Sequence, residues 1–205
     1  EGAARDWIGE IASFLTFTGF CGSLFISWQI CRARSSASVA LSPLVMGLLW
    51  TFIWLLYSRE TGDALVTRVA AHGYFLTAIN VIVHRVFAEV AYSGWQMAVM
   101  LPLVYNARLA MGAKQLGQVA FIFSVVCNMV PITLSVPLFP RLHIDLWKIA
   151  IFGLWAVYGS LAEDDPLFAS SLIGFFAGIC QVAARSGLLM PEHFHLRQQG
   201  LHFYI

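Results

Sequence analysis

Charge is scarce in this sequence. Of its 205 residues, 11% are Asp, Glu, Lys or Arg, and the balance is only +1. With 59% hydrophobic residues, the chain is too apolar for an ordinary soluble domain. Its near-neutral charge offers no electrostatic footprint for nucleic acid or for an acidic partner. The four cysteines, Cys21, Cys31, Cys127 and Cys180, lie in or at the ends of apolar runs. They show no metal-ligand spacing and no extracellular disulfide framework, so they read as packed thiols. Catalytic motifs are missing too. There is no Gly-x-Ser-x-Gly, no His-Glu-x-x-His, no acid–base pair of aspartates on neighbouring apolar segments, and no ATP-binding or ion-cage motif. Neither an enzyme nor a bound cofactor or metal is expected.

What the sequence has is long apolar runs with the charges gathered between them. Seven are near the ~20 residues that cross a bilayer as a helix: 8–30, 40–57, 64–84, 87–106, 116–137, 144–161 and 166–187. The first opens with Asp6 and Glu10 rather than a basic segment, and is therefore read as a span and not as a signal peptide. After Gly187 comes a short tail, 188–205, in which His193, His195 and His202 are read as solvated rather than metal-binding.

The chain also repeats itself. Trp54-Leu55-Leu56-Tyr57, Asp63 and Gly73-Tyr74-Phe75 return as Trp155-Ala156-Val157-Tyr158, Asp164 and Gly174-Phe175-Phe176, each shifted by 101. Upstream, Ile8-Gly9-Glu10-Ile11-Ala12 matches Leu116-Gly117-Gln118-Val119-Ala120, shifted by 108. A duplication in so apolar a chain points to a transporter, since carriers are often built from two repeats around a central path.

Two three-span units in direct tandem would lie inverted in the membrane, and one extra span between them restores a common orientation. The expected fold is thus an all-α membrane protein of seven helices arranged three plus one plus three. Residues 8–84 form the first repeat, 87–106 the linker helix and 116–187 the second repeat. On the side carrying the C-terminus lie Arg32, Arg34, Arg85, Arg141, Lys148, Arg185 and Arg197, against Arg5, Arg59, Arg68, Arg108 and Lys114 on the other. The excess places the C-terminus in the cytoplasm and the N-terminus outside or in a lumen, in the plasma membrane or an endomembrane.

On these residues the chain resembles the SWEET sugar transporters, within the wider group of PQ-loop transporters. The resemblance lies in a doubled signature of Trp-x-x-Tyr, a following acidic residue and a glycine in the third helix. A basic connector before the second helix, Cys31-Arg32-Ala33-Arg34-Ser35-Ser36, is also similar. It implies a carrier for a small neutral solute, most often a sugar, working by alternating access. It further implies that Tyr57 and Tyr158 belong to an outer gate, with Asp164 as a hydrogen-bond acceptor. The family places an asparagine three residues before each third-helix glycine, facing the substrate. Those positions are Ala70 and Ser171 here. Of the family's four helix-bending prolines, Pro43 and Pro131 are kept, while Ser23 and Ile144 stand at the other two.

Several residue types suit a solute pathway in their own right. Sugars present C–H faces that stack on aromatic rings, so Trp54 and Trp155 at matching depths are expected to bind substrate, with Trp50 a competitor on the same helix. The alternative for any such Trp is an interfacial anchor. Tyr57 and Tyr158 are either gate residues or members of an aromatic belt. His72 is an ionisable residue within a span. It either replaces the lost amide, couples transport to protons or packs between helices. Arg68, one turn away, is read as snorkelling to the surface. Asn128 precedes Pro131 by one turn and lines the path or, like Asn80, bonds a neighbouring helix. Pro131 is the mid-span hinge candidate, and Pro43 is a hinge or an N-terminal helix residue.

The preferred expectation is facilitative, bidirectional transport with membrane lipid and a small solute as partners, and self-association left open. The alternatives are a proton-coupled exporter of an amino acid or other metabolite using His72, and a non-transporting receptor or assembly protein.

Overall fold

The computed structural model describes residues 2–88, 105–106, 109, 111–129 and 141–185. The described part is helical, with no strand among the described residues. Six helices follow one another: α1 (Gly2–Ala33), α2 (Leu41–Thr61), α3 (Ala64–Val86), α4 (Ala113–Met129), α5 (Arg141–Leu161) and α6 (Asp165–Arg185). Most of the expected linker span, together with Pro102, Pro131 and the tail, lies outside the described residues. One expected boundary moves: Phe87 does not open a new span but closes α3, its N–H bonded back to the Val83 carbonyl.

The outer surface is apolar. Trp7, Phe14, Phe75, Ile122 and Phe176 are all more than half exposed, while the buried positions include Ser27, Thr51, Ser58, Asn80, Ser124 and Ser171. Apolar outside with small polar residues within is the arrangement that hydrocarbon solvent selects. By length and composition α1, α2, α3 and α6 each suffice to cross a membrane. Helix α1, 32 residues long, extends about 48 Å at 1.5 Å per residue, beyond the ~30 Å hydrocarbon core.

Packing is reciprocal between the two halves. Helix α3 packs on both α1 and α2, and α6 packs on both α4 and α5. Across the halves, α2 meets α4 and α1 meets α5. Exchanging the first three helices for the last three leaves this pattern unchanged.

The α2–α3 and α5–α6 turns show how closely the halves correspond. Helix α2 ends on Gly62, whose φ of 76° lies in the left-handed region and lets its N–H cap the Ser58 carbonyl. Asp63 follows and caps α3, its side chain accepting from the N–H groups of Leu65 and Val66. In the second half Asp164 caps α6 through the Leu167 N–H, but the left-handed position before it is Glu163, at φ 55°. A non-glycine residue there costs ~1–2 kcal/mol. Glu163→Gly removes that strain and adds unfolded-state entropy. The net expectation is stabilisation by up to about 1 kcal/mol, read as a raised thermal midpoint of the purified protein.

Two apolar cores differ in what they join. One, containing Ala12, Trp54, Tyr57, Ala70, Ala120, Trp155, Tyr158 and Leu167, draws on both halves. The other, containing Ile26, Ile30, Leu44, Leu48 and Val81, belongs to the first half alone. The halves are therefore sealed together at one end, where α2 and α5 finish.

Candidate transport site

At the sealed end, two hydrogen bonds cross between the halves. The Tyr57 hydroxyl donates to Asp164 Oδ1 at 2.8 Å, and the Tyr158 hydroxyl donates to Asp63 Oδ2 at 2.8 Å. Each aspartate thus caps its own helix and accepts from the opposite half's tyrosine. Such bonds to a carboxylate are charge-assisted. Burial pushes the Asp164 carboxyl above its ordinary value, while the Leu167 N–H and the Tyr57 hydroxyl act in the other direction.

Glycines let the tyrosines lie flat on the opposing helix. A Cβ on Gly9 would stand 2.7 Å from the Tyr158 ring. One on Gly117 would stand 3.0 Å from the Tyr57 ring and 2.7 Å from Pro166. Gly9 and Gly117 are partners in the repeat, so the close approach is made twice.

One turn below, the Trp pair repeats the crossing. Trp54 Nε1 donates to Ser124 Oγ at 3.1 Å and Trp155 Nε1 donates to Thr16 Oγ1 at 2.9 Å. Thr16 and Ser124 are themselves related by the 108 shift. Each Trp also meets the Tyr one turn on edge-to-face, with ring centroids 5.5 Å apart in both halves. Trp50, the competitor on α2, bonds the same Ser124 hydroxyl at 2.8 Å.

Beneath the Trp layer lies a cavity of about 730 Å³ between the halves. Trp54, Trp155, Ala70, Ser171 and Asn128 all line it, and so does Pro43. It reaches Ser42 and Lys148 near the starts of α2 and α5, and Gln181 near the end of α6. Pro43 sits in the first turn of α2, where its missing N–H interrupts no helix bond.

His72 is placed elsewhere. It is exposed, its Nδ1 lies 2.7 Å from the Arg68 carbonyl, and its ring meets Phe17 edge-on. It does not line the cavity, so the structure offers no His72 substitute for the missing amide. Arg68 is not simply snorkelling: its Nη2 contacts both oxygens of Glu10 at 2.6 and 2.8 Å, tying α3 to α1. Asn80 is buried and bonded to Ser23 and Ser27 on α1, a helix–helix role.

The sequence reading missed Asp63 as the acceptor for Tyr158, and Thr16 and Ser124 as Trp partners. All three were findable, because each is the repeat counterpart of a polar residue at the same depth.

Comparison with known proteins follows the same lines. The family described as "Sugar efflux transporter for intercellular exchange" matches residues 6–91. Among curated proteins the chain is similar to the bidirectional sugar transporter SWEET16 of Oryza sativa subsp. japonica. The two are 24% identical over 198 residues, covering 86% of this chain and 60% of the rice protein's length. Among solved structures the fold matches a eukaryotic SWEET transporter with a TM-score of 0.75 at 17% identity, covering 90% of this chain and 96% of that one. The first repeat thus resembles that family, the fold is that of a SWEET transporter, and the chain spans under two thirds of the rice protein's length.

The two Tyr–Asp bonds and the Trp pair stand at the same end of the cavity. The asparagine positions are occupied by Ala70 and Ser171, both buried against the cavity wall. Third-helix glycines are retained, and the reason is steric. A Cβ on Gly73 would fall 2.5 Å from the Phe20 ring, and one on Gly174 would fall 2.6 Å from the Phe152 ring.

Proposed function

We propose that this chain is a facilitative, bidirectional carrier for a small neutral solute, with sugars as its substrate class. It works by alternating access between two three-helix units joined by a linker helix that begins after Phe87. One observation carries the reading: two reciprocal Tyr–Asp bonds close one end of a cavity framed by two repeat-related Trp residues at the interface of the halves. Equivalent residues lie at the same depth and the same end, as a pseudo-twofold axis running along the helices requires. Parallel repeats of this kind rock against each other about a central site.

In the mechanism, closure of the gate end makes the two Tyr–Asp bonds and seals the shared core. Opening breaks them, and each aspartate keeps its helix-capping bonds, so neither carboxylate is stranded. The gate then passes between two states without an unsatisfied charge in either. The excess of basic residues on the opposite side puts this gate on the outer or lumenal face. Trp54 and Trp155 stack on the solute, Ser171 and Asn128 supply hydrogen bonds, and Pro131 is the hinge. The proton-coupled alternative depended on His72, which lies off the cavity.

A panel of radiolabelled solutes in proteoliposomes, with and without a pH gradient, tests this reading. Downhill sugar flux indifferent to the pH gradient is expected. Uptake driven only by a pH gradient would replace facilitated diffusion with exchange.

A further inference from the structure

The repeat makes the two walls of the cavity directly comparable, and at several paired positions an apolar residue of the first half faces a polar one of the second. Val69 and Ala70 on α3 correspond to Ser170 and Ser171 on α6, and all four line the cavity. Phe20 on α1 corresponds to Asn128 on α4, and both line it. In the first half, Asn80 turns away into its own bundle, where Ser23 and Ser27 satisfy it. Its counterpart Gln181 lines the cavity instead.

The reverse case is Thr51 against Phe152, but it adds nothing polar to the pathway. The Thr51 hydroxyl is held by the Gly47 and Leu48 carbonyls of its own helix. Thr16 and Ser124 are similarly occupied by the indole N–H groups. Apart from Ser42 at the far mouth of the cavity, the groups left to meet a solute are on the second half. Ser171 Oγ and the Gln181 amide have no partner among the described residues, and Asn128 uses only its Nδ2, on the Ser124 carbonyl. Facing them is a wall of Phe20, Met46, Val69 and Ala70.

We infer that the cavity selects an amphipathic solute: a sugar bearing an apolar aglycone, with its hydroxyls toward α4 and α6 and its apolar group against α1–α3. This rests on the transport reading above and narrows its substrate class. A bare sugar presents hydroxyls around its whole rim, and those facing the first half find no partner and lose water. An aryl or alkyl glycoside turns an apolar surface to that wall, where burial is favourable. The size agrees. At about 730 Å³ the cavity lies in the ~300–1,000 Å³ range of pockets that enclose drug-sized ligands.

The test compares phenyl β-glucoside with cellobiose, a polar solute of similar size, and with glucose. Flux is measured in proteoliposomes of the full chain, corrected for protein-free vesicles, and binding is measured by calorimetry in detergent. Phenyl glucoside is expected to bind and cross about tenfold better than cellobiose, as burial of one aromatic ring predicts. Val69→Ser with Ala70→Ser makes the first wall copy the second and is expected to lower that preference to about twofold or less. Should that variant misfold, Ser171→Ala serves instead, since the Ser170 hydroxyl is already held by the Leu167 carbonyl of its own helix. That change removes a bond that both glucosides share and lowers both affinities while the preference persists.

Equal handling of phenyl glucoside and cellobiose, or a preference unmoved by the first-wall change, overturns the inference and leaves sugar transport standing. Selective binding of phenyl glucoside with no flux of any solute does the opposite: it upholds the two-walled site and removes the carrier reading.

Discussion

Replacing Trp155 with Ala brings solute flux to background. The indole contributes on two counts. It offers the stacking face beside the cavity, worth ~1–3 kcal/mol to a bound ring, and its Nε1 bond to Thr16 joins α5 to α1. Loss of the stacking alone lowers flux by about five- to 150-fold. Trp155 is only 7% exposed, so truncation also leaves a void in the core the halves share, and abundance must be checked beside flux. Trp155→Phe separates the two contributions. It keeps an aromatic face but no donor, and is expected to retain measurable transport. If the Ala variant is as abundant as the parent and moves solute equally well, Trp155 is an anchor and not part of the pathway.

Tyr57→Phe combined with Tyr158→Phe opens the sealed end. The two hydroxyls make the cross-half bonds to Asp164 and Asp63. A hydrogen bond to a charged group contributes ~1.5–3 kcal/mol, so losing both disfavours the closed state by about 3–6 kcal/mol, or ~10²–10⁴ in its population. Part of this returns because water reaches the aspartates once the gate is open, so the lower figure is the expected one. Cys127 reports the change, since it lines the cavity and is a free thiol. With Cys21, Cys31 and Cys180 replaced, an impermeant thiol reagent applied from the gate side should label Cys127 at least tenfold faster in the double variant. Labelling at the parental rate would mean that the tyrosines do not hold the gate. Flux should fall as well, because a carrier that cannot close cannot cycle.

Much of this site is legible in the sequence because it is written twice. The shifts of 101 and 108 placed Trp54 with Trp155 and Tyr57 with Tyr158, and the same arithmetic contained Asp63, Thr16 and Ser124. Asp63 escaped notice as a partner of Tyr158 because it also reads as an ordinary helix cap, which it is. What the sequence hides is the direction a side chain faces. In a membrane protein the outward surface is as apolar as the interior, so periodicity does not separate lipid from core. His72 shows the consequence. Its ionisable ring drew attention to it as a pathway group, yet residues two apart on a helix diverge by about 200°. With Ala70 turned to the cavity, His72 faces outward. The ion pair of Arg68 was hidden for a similar reason, since its partner Glu10 lies on another helix 58 positions away.

The asymmetry of the two walls was legible only in part. Ala70 and Ser171 were visible as replacements for paired asparagines, and they suggested a less polar waist. The fate of Asn80 was not visible, because its satisfaction by Ser23 and Ser27 requires α1 and α3 to pack as they do. That buried network removes one amide from the pathway, while its repeat counterpart Gln181 stays beside it.

Counterflow in proteoliposomes tests the central claim most directly. Vesicles loaded with unlabelled solute and diluted into tracer should accumulate the tracer transiently above its equilibrium level, because an alternating-access carrier returns loaded faster than empty. The overshoot should vanish in Tyr57→Phe with Tyr158→Phe. Tracer that rises monotonically to equilibrium in the parent protein, with no effect of preloading, would contradict alternating access and describe a pore instead.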